Sequence, residues 1–398
     1  MHLKLSPVLL ISSLLAFNQC SNNSDPAADK SNFTKIFDNN QFNSSYYPID
    51  MVQTPDGGYL ILGSRSLTSS SFSGTYIMTA DAFGNFLSAQ EVDENLVDPI
   101  GNILTANGKY YFFCMTAVGL QTQLIELDAT GAITNQLNVG SSYPAAAAQE
   151  GNNFLLLSYD NTNKLSVVSR VGPDGGIIQS KGYTIGAGTD VEAPIIAHFV
   201  HTGRQFPFQI GKNSSGEYFF NGFYNYTFSL VFTDLTAKDP LGVVQGQQSS
   251  GGMSAVLPLS GQNYSVSTFN FGDNYLLPSA EINSGAVSSA SDLNGNSFPE
   301  LVADATVKII PITLGTKNYI LYGSTTKSKQ IALYSYDKTS FKFSGSKYLG
   351  FSNPFEIVSI TTTTDGGLAV CGTTYVAGRF PRICLFKISP AILQNSFN

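Results

Sequence analysis

Tryptophan is missing from this chain of 398 residues, histidine occurs three times and cysteine four, and charged residues make up only 12%. Each scarcity closes off some chemistry. Lysine and arginine total 21 against 28 acidic residues and never form a basic run, so a nucleic-acid phosphate backbone is not a partner. The net charge of −7 serves solubility rather than fold. His2 stands at the extreme N-terminus, and His198 and His201 lie three apart in I-I-A-H-F-V-H. Read as an inner strand, positions i and i+3 point to opposite faces, which keeps the two imidazoles from sharing a metal. Neither a Walker loop nor a plausible Ser-His-Asp order is present. The apolar run near the N-terminus, Pro7 to Phe17, is too short to span a bilayer.

What is abundant points one way. There are 28 Phe, 20 Tyr and 37 Gly, and aromatic and β-branched residues suit a pleated surface while glycine suits its turns. The composition predicts an all-β protein.

The first twenty residues read as a targeting segment. Lys4 supplies the positive charge, the apolar run follows, and L-A-F-N-Q-C ends it at Cys20 before the polar S-N-N-S-D-P-A-A-D-K-S. The arrangement resembles a bacterial lipoprotein signal, which implies lipid on Cys20 and a membrane-anchored place in the cell envelope. Gln19 departs from the small residue usual before that cysteine, and a cleaved secretory signal is the alternative. Residues 21–32 form a tether without apolar periodicity, and 33–398 form one domain.

That domain repeats itself. A tight turn followed by a strand recurs as P-D-G-G-Y-L-I-L (55–62), A-N-G-K-Y-Y-F-F (106–113), E-G-N-N-F-L-L-L (150–157), S-S-G-E-Y-F-F-N (214–221), S-G-Q-N-Y-S-V-S (260–267), G-T-K-N-Y-I-L-Y (315–322) and T-D-G-G-L-A-V-C (364–371). The residues after the turns, Tyr59, Tyr110, Phe154, Tyr218, Tyr264, Tyr319 and Leu368, are spaced by 44 to 64 positions. A second strand and turn follows each copy, as in Y-I-M-T-A-D-A-F-G-N-F (76–86), and a strand precedes each, as in I-D-M-V-Q-T (49–54). Four short antiparallel strands in about 50 residues are the signature of a β-propeller blade. Seven copies predict seven blades. Six or eight stay open, because the fourth and fifth copies diverge.

The pattern T-P-D-G-G-Y-L-I-L-G followed by D-A-F-G-N resembles a bacterial propeller repeat family with a T-x-D-G-G-Y-x-x-x-G core and a D-x-x-G-N turn. The likeness runs from about Phe33 to Ile392 and is fullest in the first and last units. It implies the propeller fold and no single activity. Phe33–Phe37, F-T-K-I-F, reads as an outer strand, while the last unit has only a stub after Ile388. The N-terminal strand is therefore expected to complete the last blade and leave no open edge there.

Candidate chemistry is sparse. S-D-L-N-G-N-S-F-P-E-L-V (291–302) resembles the calcium loop of integrin-type propellers, which implies ligation by Asp292, Asn294, Asn296, the Phe298 carbonyl and Glu300. A tight Asn/Gly connector is the simpler reading. Asp50, Asp98, Glu192, Asp304 and Glu356 are expected where the chain passes into the innermost strands, ringing a channel mouth, and small residues such as Pro144–Ala148 suit the crowded axis. Such carboxylates could bind a ligand, act as acid and base on a glycoside, or simply face channel water. Cys371 and Cys384 are candidates for a cross-strand disulfide, and Cys114 reads as a buried apolar residue. The missing tryptophan speaks against propellers that dock a quinone on it. The expected role is a non-enzymatic binding or scaffolding module for a protein or glycan, with a hydrolase or lyase as the alternative.

Overall fold

The strands of a computed structural model, which describes residues 29–38, 44–68, 70–376 and 380–397, group as blades of four antiparallel strands around a ring; the first two blades are joined by a Gly74–Val97 bridge into one eight-stranded sheet, and the fourth gains a fifth, parallel strand. Cys20, the signal and residues 21–28 of the tether lie outside the described residues. Strand β1 (Phe33–Phe37) comes first. Blade 1 is β2 (Tyr46–Gln53), β3 (Tyr59–Ser66), β4 (Ser73–Ala80) and β5 (Phe86–Glu91), and blade 2 is β6 (Leu96–Ala106), β7 (Lys109–Thr116), β8 (Gln121–Leu127) and β9 (Ile133–Ser142). Blade 3 is β10 (Pro144–Glu150), β11 (Asn153–Asp160), β12 (Leu165–Val171) and β13 (Ile177–Thr184). Helix α1 (Thr189–Phe199) intervenes before blade 4, which is β14 (Gln209–Lys212), β15 (Tyr218–Tyr224), β16 (Thr227–Thr233) and β17 (Gly242–Gln245). Blade 5 is β18 (Gly251–Pro258), β19 (Asn263–Asn270), β20 (Asp273–Glu281) and, after β21 (Val287–Ser289), the two-residue β22 (Asn296–Ser297). Blade 6 is β23 (Val307–Leu314), β24 (Lys317–Thr325), β25 (Ile331–Asp337) and β26 (Phe343–Leu349). Blade 7 is β27 (Phe355–Thr362), β28 (Leu368–Thr374), β29 (Arg382–Ile388) and β1, and helix α2 (Pro390–Phe397) follows.

The expected closure is present. β1 pairs antiparallel with β29, from Phe33 opposite Lys387 to Phe37 opposite Ile383. The innermost strands β2, β6, β10, β14, β18, β23 and β27 neighbour one another in that order and back to β2. Arg382, with a side chain only 1% exposed, locks the passage from β1 to β2 by donating to Asp38 Oδ1 at 3.0 Å and the Ser44 carbonyl at 2.9 Å. Nothing in the repeat pattern marks that arginine.

The core consists of the seams between blades. Second and third strands lie between two neighbouring sheets, so they bury both faces and read as continuous apolar runs: β3, β7 and β28 are buried almost throughout. Outer strands such as β5 and β9 are largely exposed. Across the first-to-last seam, Tyr59, Ile61 and Met78 pack on Cys371, Ile383 and Leu385. The next seam sets Leu60 and Leu62, from the other face of β3, against Phe112 and Cys114. Each fully buried side chain of this size contributes about 1.5–3 kcal/mol.

The repeat motif is turn chemistry. Asp56 Oδ1 accepts from the Thr54 hydroxyl at 2.5 Å and the Gly58 N–H at 3.1 Å, while Gly57 takes φ +87°; Asp365, Thr363, Gly367 and Gly366 (φ +78°) reproduce the arrangement. The two turns are neighbours, since the Thr364 N–H donates to Gln53 Oε1 at 2.8 Å. The glycine closing the motif permits close strand approach: a Cβ on Gly372 would stand 2.3 Å from the Glu356 carbonyl oxygen.

Two expectations need correcting, and blade 5 departs from the regular pattern. Cys371 and Cys384 are free thiols. Cys371 lies opposite Leu385 and Cys384 opposite Gly372, one position out of register, so the side chains point into different seams. The segment around His198 and His201 is α1 and its exit rather than an inner strand; β14, ten residues on, takes that place. After β20 the chain crosses to the previous blade, where β21 pairs parallel with β17, before returning as β22.

Candidate functional site

One end of the ring gathers the connections from outermost to innermost strands and the loops between second and third strands; the other gathers the T-x-D-G-G turns. The segment from α1 to Phe208 lies across the first end. Its underside is aromatic: Phe199, Phe206 and Phe208 pack with Tyr143, Tyr159, Phe223, Phe228 and Phe269. Its polar groups reach separate blades. His201 Nε2 meets Asp98 Oδ1 of β6 at 2.9 Å. Arg204 meets Asp304, just ahead of β23, at 3.3 Å, donates to the Ser249 carbonyl at 2.7 Å, and stacks 3.9 Å over the Phe269 ring.

The five carboxylates expected at the mouth are not brought together. Asp98 takes His201 and also both the N–H and hydroxyl of Ser73, at 2.8 and 2.9 Å. Glu192 is on α1, not at the start of an inner strand, and pairs with Lys164 at 2.7 Å. Asp304 has Arg204, and Glu356 has Lys329 at 2.9 Å and the Tyr375 hydroxyl at 3.1 Å. Asp50 is buried within β2 and joins three innermost strands: Oδ2 accepts from the Ile103 N–H at 2.7 Å and Oδ1 from the Ser359 hydroxyl at 2.6 Å. It also opposes the burial that lowers the pKa of Lys308, on β23. Among the described residues neighbouring inner strands share no ladder, and side chains bridge them elsewhere too: Gln209 exchanges two bonds with Val256, and Gln149 two with Thr105.

The calcium-type segment does not fit a metal. Asp292 Oδ2 accepts from the Ser289 N–H in a capping box, Asn296 pairs with Leu276, and Glu300 accepts from the hydroxyls of Tyr334 at 2.8 Å and Tyr348 at 3.0 Å. Asn294 lies on the connector between them, with Phe298 stacked edge-on against Tyr334. Among the described residues no three His, Cys, Asp or Glu side chains gather to hold a metal.

What the mouth does contain is a groove of about 670 Å³ between blades 1 and 2 and α1. Tyr47, Ile49, Phe72, Asp98, Ile100, His198, His201 and Gln205 are on its wall. His198 is held as a neutral ring: Nδ1 accepts from the Phe206 N–H at 3.0 Å, and burial, with His201 adding to it, pushes the pKa down to about 3. Donating a hydrogen bond to the Asp98 carboxylate raises that of His201. Asp98 and His201 both carry positive φ, 47° and 52°. Single-residue reading missed this groove because α1 was not recognised; the 64-residue spacing from Phe154 to Tyr218, the longest of the six, was the signal of an insertion.

No protein-family model and no curated protein matches the chain. Solved structures do. The β-propeller domain of the trilobed protease from Pyrococcus furiosus is similar at 8% identity and a TM-score of 0.49, over 86% of this chain and 93% of that one. The WD40 domain of Toxoplasma gondii coronin is similar at 12% and 0.44, over 90% and 75%. A protein of unknown function from Bacteroides caccae is similar at 11% and 0.42, over 77% and 94%. The chain is a β-propeller on its own strand topology, with such propellers among its structural neighbours.

Proposed function

We propose that this chain is a non-enzymatic binding module of the cell envelope, anchored through lipid on Cys20, that takes its partner at the channel mouth. One observation carries the choice of binding over catalysis: each mouth carboxylate is matched to its own cation or donors, and none is paired with another carboxylate. Glycosidic acid/base work needs two carboxyl groups facing one substrate. The groove supplies an open, mixed polar and aromatic surface of the size that ligands occupy.

Two experiments test the reading. Radiolabelled palmitate should enter the wild-type chain and not Cys20→Ser, and the variant should leave the membrane fraction; equal labelling would remove the anchor. Partner capture by the lipidated chain should be lost on Asp98→Ala and kept on substitution of Phe86, which is exposed at the start of β5, at the end of the ring away from the groove. Turnover of any captured partner would move the protein to the enzyme class.

A further inference from the structure

The groove between blades 1 and 2 and α1 is lined by hydrogen-bonding groups of both senses, and their arrangement narrows the ligand. Oδ1 of Asp98 is taken by Ser73 and His201, whereas Oδ2 takes no hydrogen bond among the described residues and has almost no open surface, so a ligand meets it only when the carboxylate turns toward the groove. A carboxylate oxygen left this way calls for a donor. His198 supplies the opposite sense. With Nδ1 accepting from the Phe206 N–H, the ring proton sits on Nε2, and burial keeps the imidazole uncharged.

The charge balance separates ligand classes. An anionic group suits His198 but is repelled by Asp98. Arg65, the guanidinium on this wall, is already held by Glu91 at 3.4 Å and Glu94 at 3.2 Å. An ammonium group suits Asp98 but competes there with His201 and leaves the His198 donor unmet. A hydroxyl is donor and acceptor at once and satisfies both walls. Tyr47 and Phe72 add ring surface on which the C–H face of a sugar packs.

From this juxtaposition we infer that the mouth groove is a site for an uncharged oligosaccharide, with Asp98 accepting from and His198 donating to ligand hydroxyls. The inference rests on the reading of the chain as a binding module and names its ligand class. Saturation-transfer NMR and calorimetry would be run on the full chain with maltotriose, cellotriose and chitotriose, and with sialyllactose and trilysine as charged comparisons. At least one neutral trisaccharide should bind. Asp98→Asn, which keeps an acceptor for Ser73, and His198→Phe, which keeps the aromatic packing, should each weaken it at least tenfold without loss of the cooperative melt. Failure of all three neutral sugars overturns the assignment, as does binding that neither variant changes. Asp98-dependent binding of trilysine alone would also overturn it while leaving the binding-module reading intact. Cleavage of a bound sugar would instead overturn the binding-module reading.

Discussion

Replacing Asp50 with alanine tests how the ring is held at its axis. In the wild type one carboxylate accepts the Ile103 N–H from blade 2 and the Ser359 hydroxyl from blade 7, both within 2.7 Å, and it lies in a buried position of blade 1. Removing it leaves two buried donors without acceptors. An orphaned donor costs about 1–3 kcal/mol, and bonds to a charged acceptor are the stronger kind. It also deprives Lys308 of the negative charge that supports its ammonium. The expected loss is about 3 kcal/mol. With an unfolding entropy of roughly 2 cal/mol/K per residue over about 360 residues, that is a fall of about 4 °C in Tm. Thermal and urea unfolding of Asp50→Ala, Ser359→Ala and the double variant would complete a cycle with a coupling of about 1 kcal/mol or more. A Tm for Asp50→Ala within about 1 °C of wild type, or no coupling, would refute the view that this carboxylate ties three blades together.

Deleting residues 33–37 should uncover the edge of β29 and give a lower Tm with concentration-dependent association by light scattering; an unchanged, monomeric protein would sink the closure argument. Because the His198 pKa falls to about 3 in the fold, the unfolded chain takes up its proton first as pH drops below about 6.5. The stability advantage of wild type over His198→Phe should therefore shrink by about 2 kcal/mol between pH 7 and 4.5; a constant difference would show that the ring is not held neutral. His201 carries the opposite sign. Its pKa is raised by Asp98, so its contribution is present below the unfolded value and fades as pH rises through the folded one. His201→Ala should then destabilise more at pH 6 than at pH 9, and an equal effect would count against the pair. Three thiols, Cys114, Cys371 and Cys384, should react with Ellman's reagent only after denaturation without reductant in a Cys20→Ser chain; a single reactive thiol would mean a disulfide.

The architecture was legible because its signals are local. T-P-D-G-G and T-T-D-G-G state a turn whose aspartate closes on its own backbone, and Y-L-I-L states a strand buried on both faces. Periodicity carried those signals around the ring, and the stub after Ile388 told where F-T-K-I-F belongs. The site was less legible because it is built from insertions and long-range contacts. V-E-A-P-I-I-A-H-F has apolar residues that suit an inner strand, yet a connection long enough to cross the mouth folds it as α1 and carries Glu192 with it. Asp98 and His201 meet 103 positions apart, and Asp50 and Ser359 309 apart, separations that no spacing rule reaches. The cysteine pairing failed by one residue of register, which on a strand is the difference between one seam and the next.

The position of β1 also has a mechanical side. The chain emerges from Phe33 at the end of the ring that holds the T-x-D-G-G turns, opposite the groove. A pull transmitted through the preceding residues runs along the axis of β1. All five pairs with β29 then bear the load together, in shear, instead of peeling one at a time. Arg382 grips the far end of the same segment through Asp38 and the Ser44 carbonyl. A ring clasped in this way resists traction through its N-terminus, and it keeps the groove turned away from whatever does the pulling.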